Sequence, residues 1–208
     1  MVCALSNIKI KRGADGEILG GTGPVILASF ASAVIVVGGS GVTFATSAVE
    51  ELIAQAEVGC ARTRVIELVW VVQEHSKLHS IYCSIKADSV IDSAAPLLPV
   101  FASLLARAST IHTLAMRITI HYTRAASTLP ANLSALVGHD RITFEAGRPN
   151  ITQTVDEVVR RTAVHGSAGG VVVGVCGPQP LVEDVWKAER AVGSEMRVAV
   201  GGVEVHEE

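Results

Sequence analysis

Val34-Ile35-Val36-Val37-Gly38-Gly39-Ser40-Gly41-Val42-Thr43-Phe44 is an apolar, β-branched run that breaks into glycines and then opens a helix. Val and Ile suit a pleated, buried strand. Gly38, Gly39 and Gly41 allow a sharp turn and a close backbone approach, because no Cβ stands in the way. The helix that follows presents unpaired N–H groups at its positive end. Strand, glycine turn and helix in that order make an anion site, for which a dinucleotide pyrophosphate is the natural guest.

Read as Gly39-x-Gly41-x-x-Phe44, the segment carries Phe where the usual dinucleotide fingerprint has its third glycine, and no clean acidic residue closes the second strand. The turn alone therefore fits a tight strand-to-helix connection in any α/β protein equally well. Composition narrows the choice. The 208 residues are 49% hydrophobic and only 4% aromatic, which suits one generous domain with a parallel sheet buried on both faces. A formal charge of −3 with scattered Lys and Arg gives no basic field for nucleic acid. Cys3, Cys60, Cys83 and Cys176 lie far apart, without a Cys-x-x-Cys pair, and read as reduced thiols of a cytosolic setting. The first residues lack the charged and apolar regions of a signal peptide, and the longest apolar stretch, 24–37, falls short of the roughly 20 residues of a membrane span. This chain is expected to be soluble.

Residues 1–33 are polar and turn-rich and read as a lead-in, with the domain proper over 34–208. A first helix is expected from Val42 or Thr43, with Ala45, Val49, Leu52, Ile53 and Ala56 on one face and Gly59 as its stop. Strands are expected over 63–72 and 116–123, with a helix over 93–108 between them that starts after Pro96. Beyond a polar loop, 141–145 reads as a short strand. Asn150 with Gln153 reads as the reciprocal cap of a helix buried through Ile151, Val155, Val158 and Val159 and stopped at His165-Gly166. Residues 169–178 read as another buried strand and turn, Leu181, Val185, Ala188 and Val192 as a last helix, and 196–200 with 203–205 as closing strand material. The alternation predicts a Rossmann-like parallel sheet of about five strands with helices on both faces. Ligands of such sheets bind at the carboxyl ends of the strands, where Gly38 to Thr43, Trp70 to Glu74, Tyr122 to Arg124 and Cys176 to Pro178 all fall.

Together these segments resemble the C-terminal NAD(P)-binding domain of the ferric reductase and NADPH oxidase family, a branch of the ferredoxin–NADP reductase type, and come closest to fungal ferric reductases. The resemblance runs from about residue 26 to the end through ordered landmarks: Val36-Val37-Gly38-Gly39-Ser40-Gly41-Val42-Thr43-Phe44, Leu68-Val69-Trp70-Val71-Val72, Ile120-His121-Tyr122-Thr123-Arg124, Gly147-Arg148-Pro149, Val175-Cys176-Gly177-Pro178 and His206-Glu207-Glu208. It implies that Gly38, Gly39, Ser40, Gly41, Val42 and Thr43 meet the nucleotide phosphates. Thr123 and Arg124 are similar to the pair that holds an adenosine 2′-phosphate, favouring NADPH while leaving NADH possible. Arg148 is similar to an arginine near the adenosine. Cys176, with Gly177 and Pro178, is implied to lie beside the nicotinamide and, with Thr43, to take part in positioning it for hydride transfer to flavin. The ordinary alternatives are a solvated loop cation for Arg124, a rigid loop at 147–149 and a buried structural thiol for Cys176.

Trp70 reads as packing, and His75 and His79 as a polar loop that is not a metal site. Gln73 stands where the family often has Arg or Lys, and the family continues beyond its His-Glu-Glu to an aromatic residue that stacks on the flavin. The family also passes electrons from NADPH to FAD and then through hemes in a membrane helix bundle to ferric iron or oxygen. Such flavin-binding and heme-bearing domains are expected as partners, and the 20–24 glycine turn resembles a remnant of the flavin domain. We expect a fragment or separated domain of an integral membrane protein, on its cytoplasmic side. The alternative is a non-catalytic NADPH-binding or regulatory module. An unrelated Rossmann enzyme would leave Cys176-Gly177-Pro178 and Thr123-Arg124 unexplained.

Overall fold

The structure, a computed structural model, describes residues 27–72, 97–123, 141–166 and 168–208. Strand β1 (Ser32–Gly38) leads through a single 3-10 turn (Gly39–Gly41) into helix α1 (Val42–Glu57). Then follow β2 (Val65–Val72), α2 (Leu98–Ser109), β3 (Ala115–Tyr122), β4 (Ile142–Ala146), α3 (Ile151–Val164), β5 (Val171–Cys176), α4 (Gln179–Ala191), α5 (Ser194–Val200) and β6 (Val203–Glu207). The strands form one six-stranded sheet in the order β4-β3-β2-β1-β5-β6. Every pairing in it is parallel.

Sequence and burial explain the two layers. In β1, Ala33, Ile35 and Val37 face α1 and α2 and pack with Leu52, Ile53, Phe101 and Leu104. Val34 and Val36 face the other way and pack with Val155 and Val159 of α3 and Val182 and Val185 of α4. A strand buried on both sides has no use for polar alternation, which is why 34–37 is uniformly apolar. Crossovers of one hand place their helices on one face when the chain moves from β1 toward β4, and on the other face when it returns to β5. The distribution of α1 and α2 against α3 and α4 has that form. The strand order thus reverses between β1 and β5, the position at which open sheets of this type hold ligands.

Most expected elements stand within a residue or two of their expected ends. Gly59, with φ of 73°, follows the α1 terminus, and Gly166, with φ of 63°, follows that of α3. Asn150 caps α3 by accepting from the Gln153 N–H at 3.1 Å, and its amide in turn donates to the Gln153 side chain. The proline in the first turn of α2 is Pro99; Pro96 and the rest of 73–96 lie outside the described residues.

One expectation is overturned. Residues 196–200 alternate Met, Arg, Val, Ala, Val and read as a strand, but they form α5. Val198 is 80% exposed, so the alternation buries nothing. The buried contacts come instead from Met196 and Val200, four apart on one helical face. Gly201, with φ of 86°, ends the helix, and Arg197 reaches the Glu189 carboxylate at 2.5 Å and the Val203 carbonyl at 3.3 Å. The sheet accordingly has six strands, the last supplied by 203–207 alone.

Candidate functional site

At the β1–β5 reversal two short segments meet. A Cβ placed on Gly41 would lie 2.7 Å from the Cys176 carbonyl oxygen and 3.1 Å from its Sγ. On Gly38 it would lie 2.8 Å from Pro178 Cδ, and on Gly177 3.1 Å from the Gly38 nitrogen. The glycine turn therefore packs directly on the Cys176-Gly177-Pro178 turn, and side chains at these positions would separate the two. Gly39 is different: it faces open space, but its φ of +55° lies in the left-handed region that favours glycine. Along the same edge runs a cleft of 430 Å³ lined by Gly38, Gly39, Ser40, Val71, Val72, Gly177, Pro178 and Leu181.

The remaining candidates lie at the same ends of the strands. Ser40 and Thr43 are exposed at the start of α1, and Val42 is buried beneath them. The Thr43 hydroxyl donates to the Ser40 carbonyl at 3.1 Å, closing the turn on itself. Thr123, just past β3, is tied to the end of β2 by its N–H to Val72 O at 3.0 Å, and its hydroxyl donates to the same carbonyl at 3.4 Å. Gly147 N–H donates to Tyr122 O at 2.8 Å, which brings the exposed Arg148 to the ends of β3 and β4. The glycine turn, Thr123, Arg148 and Cys176 all lie on one edge of the sheet. Arg124, Gln73, Glu74, His75 and His79 lie outside the described residues.

Two features escape a reading of the sequence. Trp70 is packing, as expected: it is 3% exposed and meets Phe101 edge-on, with ring centroids 5.8 Å apart at 72°. Yet its indole N–H also donates to the Gly39 carbonyl at 3.1 Å, inside the glycine turn. The register that sets Trp70 opposite Val37 makes this bond, and no spacing motif announces it.

The second is a polar cavity of 170 Å³ between α3 and the middle of β2–β4. Glu67, buried on β2, pairs with Arg161 at 3.2 Å and Arg117 at 3.9 Å. Burial raises its pKa above the ordinary carboxylate value, and the arginines oppose the rise. His121 on β3 is buried beside Glu145, its cross-strand partner, with Nε2 3.7 Å from the carboxylate. Burial lowers its pKa, against the pull of Glu145 and the Gly147 backbone. A histidine with a lowered pKa in the fold gives stability that is fully present above its ordinary 6.5 and is lost as pH falls from 6.5 through the lowered value it has in the fold. We expect the melting temperature of wild type to fall more steeply than that of H121Q on acidification through this window, as measured by thermal denaturation; parallel curves would contradict it.

Among the described residues no helix is long and apolar enough to cross a membrane, and no group of His, Cys, Asp or Glu could hold a metal ion. A comparison with curated proteins finds no match. The model of the ferric reductase NAD binding domain matches residues 30–189, a range that includes both the glycine turn and Cys176-Gly177-Pro178. The chain therefore belongs to the ferric reductase NAD-binding domain family.

Proposed function

We propose that this chain is the NADPH-binding part of a ferric reductase-type oxidoreductase, and that it presents the cofactor to FAD held by another domain or chain. Onward transfer through heme to ferric iron belongs to membrane domains of the same assembly. The close approach of Gly41 to Cys176 carries the proposal, because it sets an anion-binding turn against the Cys-Gly-Pro turn at the strand-order reversal. The residues fit the group: glycines leave the space a Cβ would fill, and the start of α1 offers N–H groups to a pyrophosphate.

In this assignment the turn from Gly38 to Thr43 holds the pyrophosphate. Thr123 and Arg124 hold the 2′-phosphate, and Arg148 faces the adenosine. Half-buried Cys176, with Gly177 and Pro178, bounds the nicotinamide, where a small polarizable side chain lets the ring lie close. Bound NADPH supplies the hydride, and flavin N5 accepts it. The chain itself binds, orients and shields.

Anaerobic mixing of the full chain with NADPH and free FAD tests the proposal through the flavin absorbance. Bleaching that depends on the chain is the expected outcome. NADPH binding without bleaching would favour a regulatory module instead.

A further inference from the structure

Trp70 sits two residues before the end of β2, yet its indole N–H reaches across to a carbonyl of the glycine turn, 3.1 Å away at Gly39. Its ring is buried and wedged against Phe101, so the donor has little freedom to swing. The Gly39–Ser40 peptide is trans, as are all peptide bonds of the described residues. In a trans peptide the C=O and the following N–H point in opposite directions. A bond that holds the Gly39 carbonyl toward β2 therefore turns the Ser40 N–H away from it, on a residue that is exposed. Ser40 N–H is also among the first N–H groups of its helical turn, which have no partner within the helix.

We infer that Trp70 is a positioning residue for anion binding: by holding the Gly39 carbonyl it aims the Ser40 amide at the pyrophosphate. The inference rests on the nucleotide reading above and assigns Trp70 a role within that site. Left unheld, this peptide is free to rotate, with φ of Gly39 at +55° in a region where glycine moves at small cost. Rotation would present a carbonyl oxygen, and hence repulsion, to a phosphate. Tryptophan is required over the other aromatics here because only the indole combines a ring large enough to pack on Phe101 with an N–H donor at its edge.

The test compares ligands that do and do not carry a pyrophosphate. In Trp70→Phe, NADPH and inorganic pyrophosphate should each bind about 3- to 10-fold more weakly, the loss of one hydrogen bond. Adenosine 2′-monophosphate, which occupies only the adenosine end, should keep its affinity. Phe101→Leu keeps the indole donor but loosens the packing that restrains it, and should weaken pyrophosphate binding less than Trp70→Phe does while leaving adenosine 2′-monophosphate unchanged. If Trp70→Phe does not fold, the wild-type indole N–H resonance serves instead, assigned with Trp186→Phe. It should shift on titration with pyrophosphate and not with adenosine 2′-monophosphate. Equal losses for all ligands in Trp70→Phe, or an indole signal indifferent to pyrophosphate, would overturn the positioning role. Wild type that binds neither NADPH nor pyrophosphate would overturn the nucleotide reading and this inference with it.

Discussion

Gly41→Ala is expected to weaken NADPH binding by more than about 10-fold and to destabilise the fold by about 1–3 kcal/mol, the usual cost of overpacking. Backbone preference is not the cause. Gly41 has φ of −59° and ψ of −11°, where alanine is comfortable and would favour the helix it precedes. Space decides the sign. The new Cβ would lie 2.7 Å from the Cys176 carbonyl oxygen, a backbone atom at the end of β5, and 3.1 Å from the sulfur. Because β5 is paired on both sides, the carbonyl cannot retreat alone, and the glycine turn must move off the strand end. Gly39→Ala supplies the contrast. Its Cβ meets nothing within 4 Å, so its cost is that of a left-handed residue, about 1–2 kcal/mol, with no separation of the two turns. Titration with NADPH beside thermal melts distinguishes the two. Equal affinity losses in both variants would contradict the contact as the basis of the site.

The second large effect is one of coenzyme choice. Arg124→Ala should weaken NADPH by about 10- to 100-fold, the range for a charge-assisted hydrogen bond, while NADH changes less than about 2-fold. The expectation rests on Thr123, which the Val72 carbonyl fixes just past β3, at the strand ends that also carry the glycine turn. The NADPH loss should shrink as salt rises and screens the guanidinium. Equal effects on both coenzymes would remove the 2′-phosphate from this position.

Much of this architecture is legible in the sequence because burial on two faces forces a recognisable composition. The apolar, β-branched runs at 34–37 and 171–173 read as buried strands, and they are β1 and β5. Asn150 and Gly166 mark the ends of α3 because capping is local chemistry. The misreading of 196–200 has the converse cause: alternation at a sheet margin is indistinguishable from a short amphipathic turn until burial is known, and Arg197 decides it through contacts with distant Glu189. In the site, the glycines and the Cys-Gly-Pro turn were readable as separate segments. Their contact was not, because it depends on β1 and β5 being neighbours. The Trp70–Gly39 bond was hidden for the same reason, since strand register creates it. The Glu67–Arg161 pair joins residues on β2 and α3 that no local pattern links.

Hydrogen exchange of the full chain with and without NADPH tests the central claim, that the cofactor lies at the reversal between β1 and β5. NADPH should slow exchange over 39–46 and 176–182, the start of α1 and the Cys176-Gly177-Pro178 turn with the start of α4, while the opposite edge around Arg64, His112 and Arg141 stays unchanged. Protection confined to that opposite edge, with 39–46 and 176–182 unaffected, would contradict the account.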